Sequence, residues 1–380
     1  MGKKSSSLPE GVDYGFLDYM NKNIDEVGFG TLTSMAEGLN SDITYWLSTG
    51  SKILDFLVSN EKNTGAIPGG RIIEIYGNES TGKSLMAYNI IRDAQKKGGM
   101  FYLFDVERAL KKDYARDVLH LDVESNSYID NSTTLEAIFS KIERALLYLK
   151  KNKIGAKFVV FVIDSIAATT TSEELSGGLE GKGYNTSKSK IMSLAFRMLP
   201  ALLSEMNATL ICINQQRYTM NAAPFSDPFI QPGGKALPFH ASLRIKLDHL
   251  GFIKDDRGNI VGNKVRATVK KSKVGFPFGS CEMFLYSNSG IDDYEYWWEL
   301  CKKHQIGSFS GAGWVTLDVL NKQIKIQGKE EFTKLLREDQ EIRDFIYDEL
   351  CKKLKRTYEI DFSKVEFSDI SNSSDGSEED

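Results

Sequence analysis

Cysteine and histidine are both scarce in this chain, with 4 of each among 380 residues. The cysteines (Cys212, Cys281, Cys301 and Cys351) show neither pairing nor metal-ligand spacing, and the histidines are equally dispersed. This pattern argues against a disulfide framework and against a zinc site. It predicts a reduced protein of the cytosolic type.

Long apolar runs are also absent. The longest run, FVVFVI (Phe158 to Ile163), is far too short to cross a bilayer. The N-terminal residues contain no apolar core of the kind that signal peptides have. We therefore expect no membrane partner, and we expect the protein to stay in the compartment where it is made.

Neither sign of charge dominates, since 48 Lys and Arg stand against 52 Asp and Glu, a formal net charge of -4. This balance does not by itself indicate a nucleic-acid-binding protein. Residues 361–380, however, hold seven acidic residues against the single Lys364. We predict a disordered acidic tail there, on a nearly neutral body.

From Arg71 onward, short apolar runs alternate with segments of helical periodicity. The runs RIIEIYG, MFYLFD, KFVVFVID and ATLICIN predict strands, and the segments between them predict helices, one of which Pro200 should interrupt. Continuous apolar strands that alternate with helices are typical of an α/β fold, with a mostly parallel sheet covered by helices on both faces.

The pattern changes in the last third of the chain. SLRIKLDHLGFI and NKVRATVKKSK predict an antiparallel hairpin, and CEMFLY predicts a further strand. From about Ile291 the chain is mixed, with GSFSGAGWVTL as a turn-rich piece and two charged helices between Glu330 and Arg356. The predicted division is a leader region (1–50), a large α/β core (51–288), a small α+β domain (289–360) and the acidic tail (361–380).

One long segment, from about Gln216 to Gly234, follows neither strand nor helix periodicity. It lies in a stretch with half of the chain's 8 prolines (Pro224, Pro228, Pro232 and Pro238). A loop of this length in a compact domain is usually functional or disordered.

A phosphate-binding motif follows the first strand of the alternating region. GNESTGKS has the pattern GxxxxGK[ST] between a strand and a helix, the context that gives the motif its meaning. The glycines let the backbone close around phosphates, the lysine reaches the β- and γ-phosphates, and the serine hydroxyl ligates Mg²⁺. The predicted nucleotide-binding residues are Gly77, Asn78, Glu79, Ser80, Thr81, Gly82, Lys83 and Ser84.

Acidic and amide side chains follow three further strands. Asp164 ends KFVVFVID, where a carboxylate suits Mg²⁺, although an Asp at this position could instead cap a helix. Asp105 and Glu107 follow MFYLFD, and Asn214 and Gln215 follow ATLICI. Hydrolysis needs a carboxylate to orient or deprotonate water, and an amide can sense the γ-phosphate. Each residue alone could equally be a turn residue.

At these residues the sequence resembles the RecA-type homologous recombinases. Six segments match that family in order: GAIPGGRIIEIYGNESTGKS, DVERALKKDYARDVLHLD, FVIDSIAATT, INQQR, GGKALPFHASLRIKL and VKKSKVGFPF. The similarity runs from about Gly65 to Arg356, and the leader and the inserted SNEKNTG resemble the phage-encoded branch. The resemblance implies a P-loop ATPase core that binds ATP and Mg²⁺, in a bacterial cytosol or that of a phage-infected host.

The resemblance also implies individual roles. Glu107 would be the general base that activates water, and Tyr114 would stack on the adenine. Gln215 would link the γ-phosphate to the DNA-binding loop that follows it. Lys271 and Lys273 would reach the γ-phosphate of the neighbouring subunit in a filament, whereas spacing alone would make them part of a basic strand edge.

Several positions depart from the family pattern. Arg108 stands where many relatives have His, and Lys111 replaces an acidic residue expected near the adenine. The segment SGGLEGKGYNTSKSK differs in length and content from the usual first DNA loop of the family, and the N-terminal oligomerisation helix expected in residues 1–50 is not recognisable.

The resemblance places two DNA-binding loops at about 176–185 and 216–234. On the helix after the first loop, Lys190, Ser193 and Arg197 share one face. This face could contact DNA phosphates, or it could simply be a basic surface exposed to solvent. Arg217 and Lys235 bracket the second loop, Phe225 is its apolar wedge, and Gly233 and Gly234 allow close backbone approach.

Together these features predict an ATP-dependent recombinase that forms a filament on single-stranded DNA and exchanges strands with double-stranded DNA, helped by single-strand-binding and loader proteins. A hexameric helicase on the same core is the alternative, and a DNA-binding mediator with a regulatory ATP site is a third reading. Lys271 and Lys273 favour the recombinase, and an intact Lys83, Glu107 and Asp164 disfavour the mediator.

Overall fold

The computed structural model describes residues 42–125, 127–152, 157–177, 185–218, 229–230, 232–286, 290–319 and 322–357. Four predictions therefore lie wholly or mostly outside the described residues. They are the leader (1–50), the first DNA loop (176–185), the acidic tail (361–380) and the wedge residue Phe225.

The strands are β1 (Trp46–Leu47), β2 (Ile67–Pro68), β3 (Ile72–Gly77), β4 (Met100–Asp105), β5 (Ser127–Asp130), β6 (Val159–Asp164), β7 (Ala208–Gln215), β8 (Arg217–Tyr218), β9 (Phe229–Ile230), β10 (Leu243–Lys254), β11 (Ile260–Ser272), β12 (Ser280–Tyr286), β13 (Gly290–Asp292), β14 (Ser308–Ser310), β15 (Trp314–Val319) and β16 (Lys322–Gln327). The helices are α1 (Lys52–Ser59), α2 (Lys83–Lys96), α3 (Leu135–Asn152), α4 (Ser172–Gly177), α5 (Asn185–Glu205), α6 (Ala236–His240), α7 (Tyr294–His304), α8 (Gly328–Glu338) and α9 (Gln340–Leu354). None of the described helices is long and apolar enough to span a membrane.

A nine-stranded sheet in the order β13-β12-β11-β10-β3-β7-β6-β4-β5 organises the molecule. From β10 to β5 every neighbouring pair is parallel, and from β10 to β13 every pair is antiparallel. The mostly parallel α/β fold is therefore confirmed. We call the edge where β3, β4, β6 and β7 end the carboxyl edge, and the edge where β3 and β10 begin and β11 ends the amino edge.

Both faces of the sheet are buried, which explains the uninterrupted apolar runs. Ile73 and Ile75 of β3 pack with α1, α2 and the C-terminal helices, whereas Ile72 packs with α3 and α5 on the opposite face. All residues of β3 and β6 are buried. Because strand side chains alternate between faces, a strand covered on both sides is apolar at most positions, and Glu74 of β3 is an exception that needs a buried partner.

The region after β12 differs from its prediction in two ways. The turn-rich piece GSFSGAGWVTL is part of a three-stranded antiparallel sheet, β14-β15-β16. The core sheet also continues past the predicted boundary at residue 288, because β13 pairs with β12. Trp297 and Tyr347 of the C-terminal region pack in the same hydrophobic cluster as β3, so the predicted small domain shares a core with the large one.

Two local predictions also need correction. Pro200 does not interrupt its helix, because α5 runs unbroken from Asn185 to Glu205. Phe196, Leu199 and Leu203 around it are buried and hold the helix against the sheet, which outweighs the hydrogen bond that proline cannot make. The segment predicted to lack structure from Gln216 to Gly234 contains a short antiparallel ladder between β8 and β9.

Candidate functional site

Two positions in the loop between β3 and α2, Gly77 and Gly82, require glycine because the neighbouring atoms leave no room for a Cβ. A Cβ on Gly77 would stand 2.2 Å from the carbonyl oxygen of Leu247. Gly82 has φ +80°, and a Cβ there would stand 2.0 Å from Leu285 Cδ1. The backbone therefore passes so close to the neighbouring strands that a side chain at either position would force it away.

Lys83 lies at the start of α2 and folds back over this loop. Its Nζ donates to the Asn78 carbonyl oxygen at 2.5 Å, and Thr81 Oγ1 donates to the same oxygen at 2.9 Å. Burial lowers the pKa of the lysine, opposed by Asp164, Glu107 and Glu79. The ammonium group is thus held beside the helix N-terminus, where an incoming anion would meet it.

A cleft of about 430 Å³ opens at the carboxyl edge beside this loop. Eight of the predicted site residues contribute to its lining: Glu79, Ser80, Gly82, Lys83, Ser84, Glu107, Asp164 and Gln215. Ser165 and Ile213 line it too. The strand ends that sequence reasoning placed on one rim therefore do meet around one cavity.

Asp164 points at Ser84 across this cleft. The two side chains are hydrogen-bonded, and burial raises the pKa of Asp164 to about 6, with Glu107 and Asp105 adding to the increase. The neighbouring short helical turn (Ile166–Ala168) has Ser165 as its N-cap residue, so Asp164 does not cap it. A hydroxyl and a carboxylate in contact are oxygen donors of the kind that Mg²⁺ selects, so the donor set fits this ion.

The two acids after β4 have different surroundings. Glu107 lines the cleft, and its Oε1 accepts a hydrogen bond from Ser165 Oγ at 2.7 Å. Asp105 is buried and accepts from the backbone N–H groups of Ala109 at 3.1 Å and Leu110 at 3.0 Å. Asp105 therefore stabilises the turn, and Glu107 is the acid available to a ligand.

Beneath Gln215 lies a buried polar network that the sequence did not reveal. Asn214 Nδ2 donates to Glu74 Oε1 at 3.2 Å, and Asn214 Oδ1 accepts from the Gln215 backbone N–H at 3.0 Å. Arg244 Nε donates to Glu74 Oε2 at 2.5 Å. Glu74 is fully buried, so its charge depends on this pairing.

Tyr114 begins a π-helical turn (Tyr114–Val118) beyond the cleft. It is exposed. Burial raises the pKa of Tyr88, and Asp164, Asp105 and Tyr114 add to the increase. The Tyr114 ring is therefore accessible and near the acids of the carboxyl edge. It is not one of the residues found to line the cleft.

Lys271 and Lys273 lie at the amino edge, where β11 ends. β11 is an interior strand between β10 and β12, so these lysines are not on a strand edge of the sheet. Lys271 Nζ donates to the carbonyl oxygens of Pro238 at 2.8 Å and Phe239 at 2.6 Å. Both lysines are thus far from the cleft of their own chain, at the opposite end of the strands.

The helix α5 carries the three predicted DNA contacts. Lys190 and Arg197 are exposed. Ser193 Oγ donates to the Ser189 carbonyl oxygen at 2.7 Å, and Arg197 Nε donates to the Ser193 carbonyl oxygen at 3.1 Å. The three side chains share one helix face, as the spacing predicts.

The end of the second loop packs on the same helix. A Cβ on Gly233 would stand 2.2 Å from Met192 Sδ, and one on Gly234 would stand 3.0 Å from Ser189 Oγ. The close approach that these glycines permit is therefore to α5, and Lys235 follows them as an exposed residue. The backbone of Arg217 lies in β8, whereas Phe225 lies outside the described residues.

Comparison with known proteins adds an independent finding. Residues 17–292 match the family described as "RecA N-terminal domain". The chain is 32% identical over 356 residues to "Protein RecA" of Chlorobium limicola, covering 92% of this chain and 96% of that relative. It is 35% identical over 340 residues to "Protein RecA" of Nitratiruptor sp., covering 89% and 93%. "Protein RecA" of Helicobacter pylori is 34% identical over 337 residues, covering 88% and 90%.

Proposed function

The chain belongs to the RecA family, and on that premise we propose how its own residues carry out ATP-dependent recombination. The protein is an ATP-dependent recombinase of DNA recombination and repair, and the helicase alternative is not favoured by these relatives. The observation that carries the assignment of roles is the cleft in which Lys83, Glu107 and Gln215 come together.

We assign nucleotide binding to the loop from Gly77 to Ser84. Its backbone N–H groups and Lys83 would hold the phosphates, and Tyr114 would contact the adenine. Ser84 and Asp164 would hold Mg²⁺, which supplies positive charge against the charge that develops on the transferred phosphoryl group.

Glu107 is our candidate for the general base. Ser165 Oγ holds its Oε1, so the rotation of the carboxylate is restrained and Oε2 is left for a water molecule. In hydrolysis Glu107 takes a proton from the attacking water. Gln215 is the candidate sensor, because it lines the cleft and is followed at once by the second DNA loop.

For DNA, the proposal assigns phosphate contacts to Lys190, Arg197 and the residues around the second loop. A positive groove and apolar or aromatic wedges are how proteins hold single strands without reading sequence. Self-association in a filament lets modest basic stripes add up along the strand. Single-strand-binding and loader proteins are the proposed partners, in a bacterial cytosol or the cytosol of a phage-infected host.

We keep the division into leader, core, small domain and acidic tail as a proposal. In it, the acidic tail competes with DNA for the basic surface of the protein. Deleting residues 366–380 should raise DNA affinity and change its dependence on salt and Mg²⁺. An unchanged affinity and salt dependence would remove this role.

The decisive experiment measures ATP hydrolysis with and without single-stranded DNA, with electron microscopy of the same sample. We expect hydrolysis that depends on DNA, and helical filaments. Closed rings, or turnover indifferent to DNA, would contradict the proposal. Absent hydrolysis with normal DNA binding would favour the mediator reading.

A second experiment tests the sensor. Gln215→Ala should leave ATP binding largely intact, because Lys83 and the loop backbone remain, while DNA affinity stops responding to the nucleotide. The readout is DNA affinity with ATP and with ADP. Unchanged coupling would count against Gln215.

A further inference from the structure

The antiparallel strands of the central sheet contact the phosphate loop (residues 77–84), although none of their described residues lines the cleft. The carbonyl oxygen of Leu247 on β10 lies against Gly77, and the side chain of Leu285 on β12 lies against Gly82. From β11, between these two strands, Asn263 Nδ2 donates to the Ser80 carbonyl oxygen at 3.2 Å. Three neighbouring strands therefore each provide one contact to the loop.

Asn263 and Leu285 reach the loop from one patch of the sheet. The two residues are directly opposite each other on β11 and β12. Side chains at such paired positions project from the same face. Leu285 is buried, whereas Asn263 is half-buried. The pair thus supplies an apolar contact to Gly82 and, beside it, a hydrogen bond to Ser80.

Ser80 has a backbone conformation that needs such a contact. Its φ is +58°, in the left-handed region that residues with a Cβ rarely adopt. A residue in this region keeps its conformation when the surrounding structure holds it there. The Asn78 carbonyl oxygen is held from within the loop, by Lys83 and Thr81. The Ser80 carbonyl oxygen, in contrast, is held from outside the loop, by Asn263.

The bond to Asn263 also sets the direction of a donor. The Ser80 carbonyl and the Thr81 N–H belong to one planar trans peptide unit, so they point in opposite directions. Because Asn263 holds the carbonyl, the Thr81 N–H is directed away from β11. Ser80 and Gly82, on either side of Thr81, both line the cleft. Asn263 therefore orients a peptide in the part of the loop where N–H groups would meet an anion.

We propose that Asn263 is a positioning residue for the phosphate loop. Its amide holds the peptide between Ser80 and Thr81 in the orientation that binds nucleotide phosphates, and it acts through Ser80 without touching the nucleotide. It contributes to affinity rather than to the chemical step, because it does not contact Glu107. This inference rests on the proposed function, since it takes the phosphate loop as the nucleotide site.

The first test measures affinity, by isothermal titration of the whole chain with ADP and Mg²⁺. Asn263→Leu fills a similar volume without a donor, and it should weaken ADP binding about threefold to tenfold, the range of one hydrogen bond. The control is Asn259→Leu, at the exposed tip of the same hairpin, which should bind ADP as tightly as the unmutated chain. Unchanged affinity in Asn263→Leu, or an equal loss in Asn259→Leu, overturns the proposal.

The second test separates affinity from chemistry and from stability. In hydrolysis with single-stranded DNA, Asn263→Leu should raise KM for ATP as much as it weakens ADP binding, and kcat should stay within about twofold. A lower kcat with an unchanged KM overturns the positioning role. Thermal unfolding without nucleotide should give the midpoint of the unmutated chain. A lower midpoint there would assign Asn263 to the stability of the sheet, and would overturn the proposal too.

The third test uses the backbone conformation of Ser80. Glycine adopts a positive φ without a Cβ penalty, so the loop of the Ser80→Gly chain depends less on outside contacts. In that chain Asn263→Leu should weaken ADP binding by no more than about twofold, a smaller loss than in the unmutated chain. Equal losses in the two chains would show that Asn263 does not act through Ser80, which contradicts the proposal.

Lys83→Ala distinguishes failure of this inference from failure of the proposed function. It should remove most ADP binding, because the phosphate loop loses its cation. If Lys83→Ala binds ADP as tightly as the unmutated chain, the loop is not the nucleotide site and both proposals fall. If Lys83→Ala loses binding while Asn263→Leu keeps it, the proposed function stands and the role of Asn263 is refuted.

Discussion

The two edges of the central sheet contrast in charge. At the carboxyl edge one lysine, Lys83, lies among Glu79, Glu107 and Asp164, and the surrounding acids oppose the lowering of its pKa. At the amino edge burial lowers the pKa of His240, and the cations Lys273, Lys271 and Arg197 lower it further. The carboxyl edge therefore combines a cation with several carboxylates, whereas the charged groups that act on His240 at the amino edge are all cations. Such complementary edges suit head-to-tail association, in which one surface meets a different surface of the next copy.

The largest expected effect concerns the acids of the carboxyl edge. Glu107→Gln should lower kcat for ATP hydrolysis by about 10²–10⁴-fold, the range that general-base catalysis contributes. ATP affinity should change little, because the phosphates are held by Lys83 and the loop backbone. Steady-state kinetics and nucleotide titration check both values.

The matched control is Glu79→Gln, an exposed acid that lines the same cleft. If both variants lose activity equally, general negative charge matters at this edge rather than one positioned carboxylate.

The next effect concerns the buried pair of Glu74 and Arg244 inside the central sheet. Glu74→Ala should lower the free energy of unfolding by about 3–5 kcal/mol, because it leaves Arg244 without its partner carboxylate. Urea unfolding measures the change. Lys334→Ala, which removes an exposed pair with Glu338, should cost less than about 1 kcal/mol. A small loss in Glu74→Ala would mean that Arg244 finds another partner without strain.

The amino edge is tested by comparing its two lysines. Lys273→Ala should reduce DNA-dependent turnover about tenfold, the loss expected for about 1.4 kcal/mol, without lowering stability. Lys271→Ala should lower the thermal midpoint as well, because α6 loses its anchor. Thermal unfolding beside the ATPase assay separates the two. If both variants behaved identically, Lys273 would not differ from Lys271, which holds the carbonyl oxygens of Pro238 and Phe239 in α6.

The sequence predicted the carboxyl edge better than the amino edge for a physical reason. β3, β6 and β7 are buried along most of their length, so their apolar runs were visible. Asp164 and Gln215 are the last residues of such runs, and Glu107 lies two residues beyond the end of β4. β5 is short and half exposed, with Tyr128 48% and Ile129 55% accessible, so no apolar run marked it.

A cavity of about 250 Å³ at the amino edge gave no such signal in the sequence. Arg71, Pro200 and His240, which line it beside the predicted Lys273, come from separate segments, and only the folded sheet brings them together. The buried pair of Glu74 with Arg244 was hidden likewise, because a single acid inside an apolar strand does not reveal which distant cation will pair with it.

The packing of Gly233 against Met192 has a consequence for engineering. The end of the second loop lies directly on α5, where the backbone of Gly233 and Gly234 packs closely against the side chains of Met192 and Ser189. A loop transplanted from a relative would keep its position only if the facing turn of α5 were transplanted with it. The unit of exchange is therefore the loop together with residues 189–192, rather than the loop by itself.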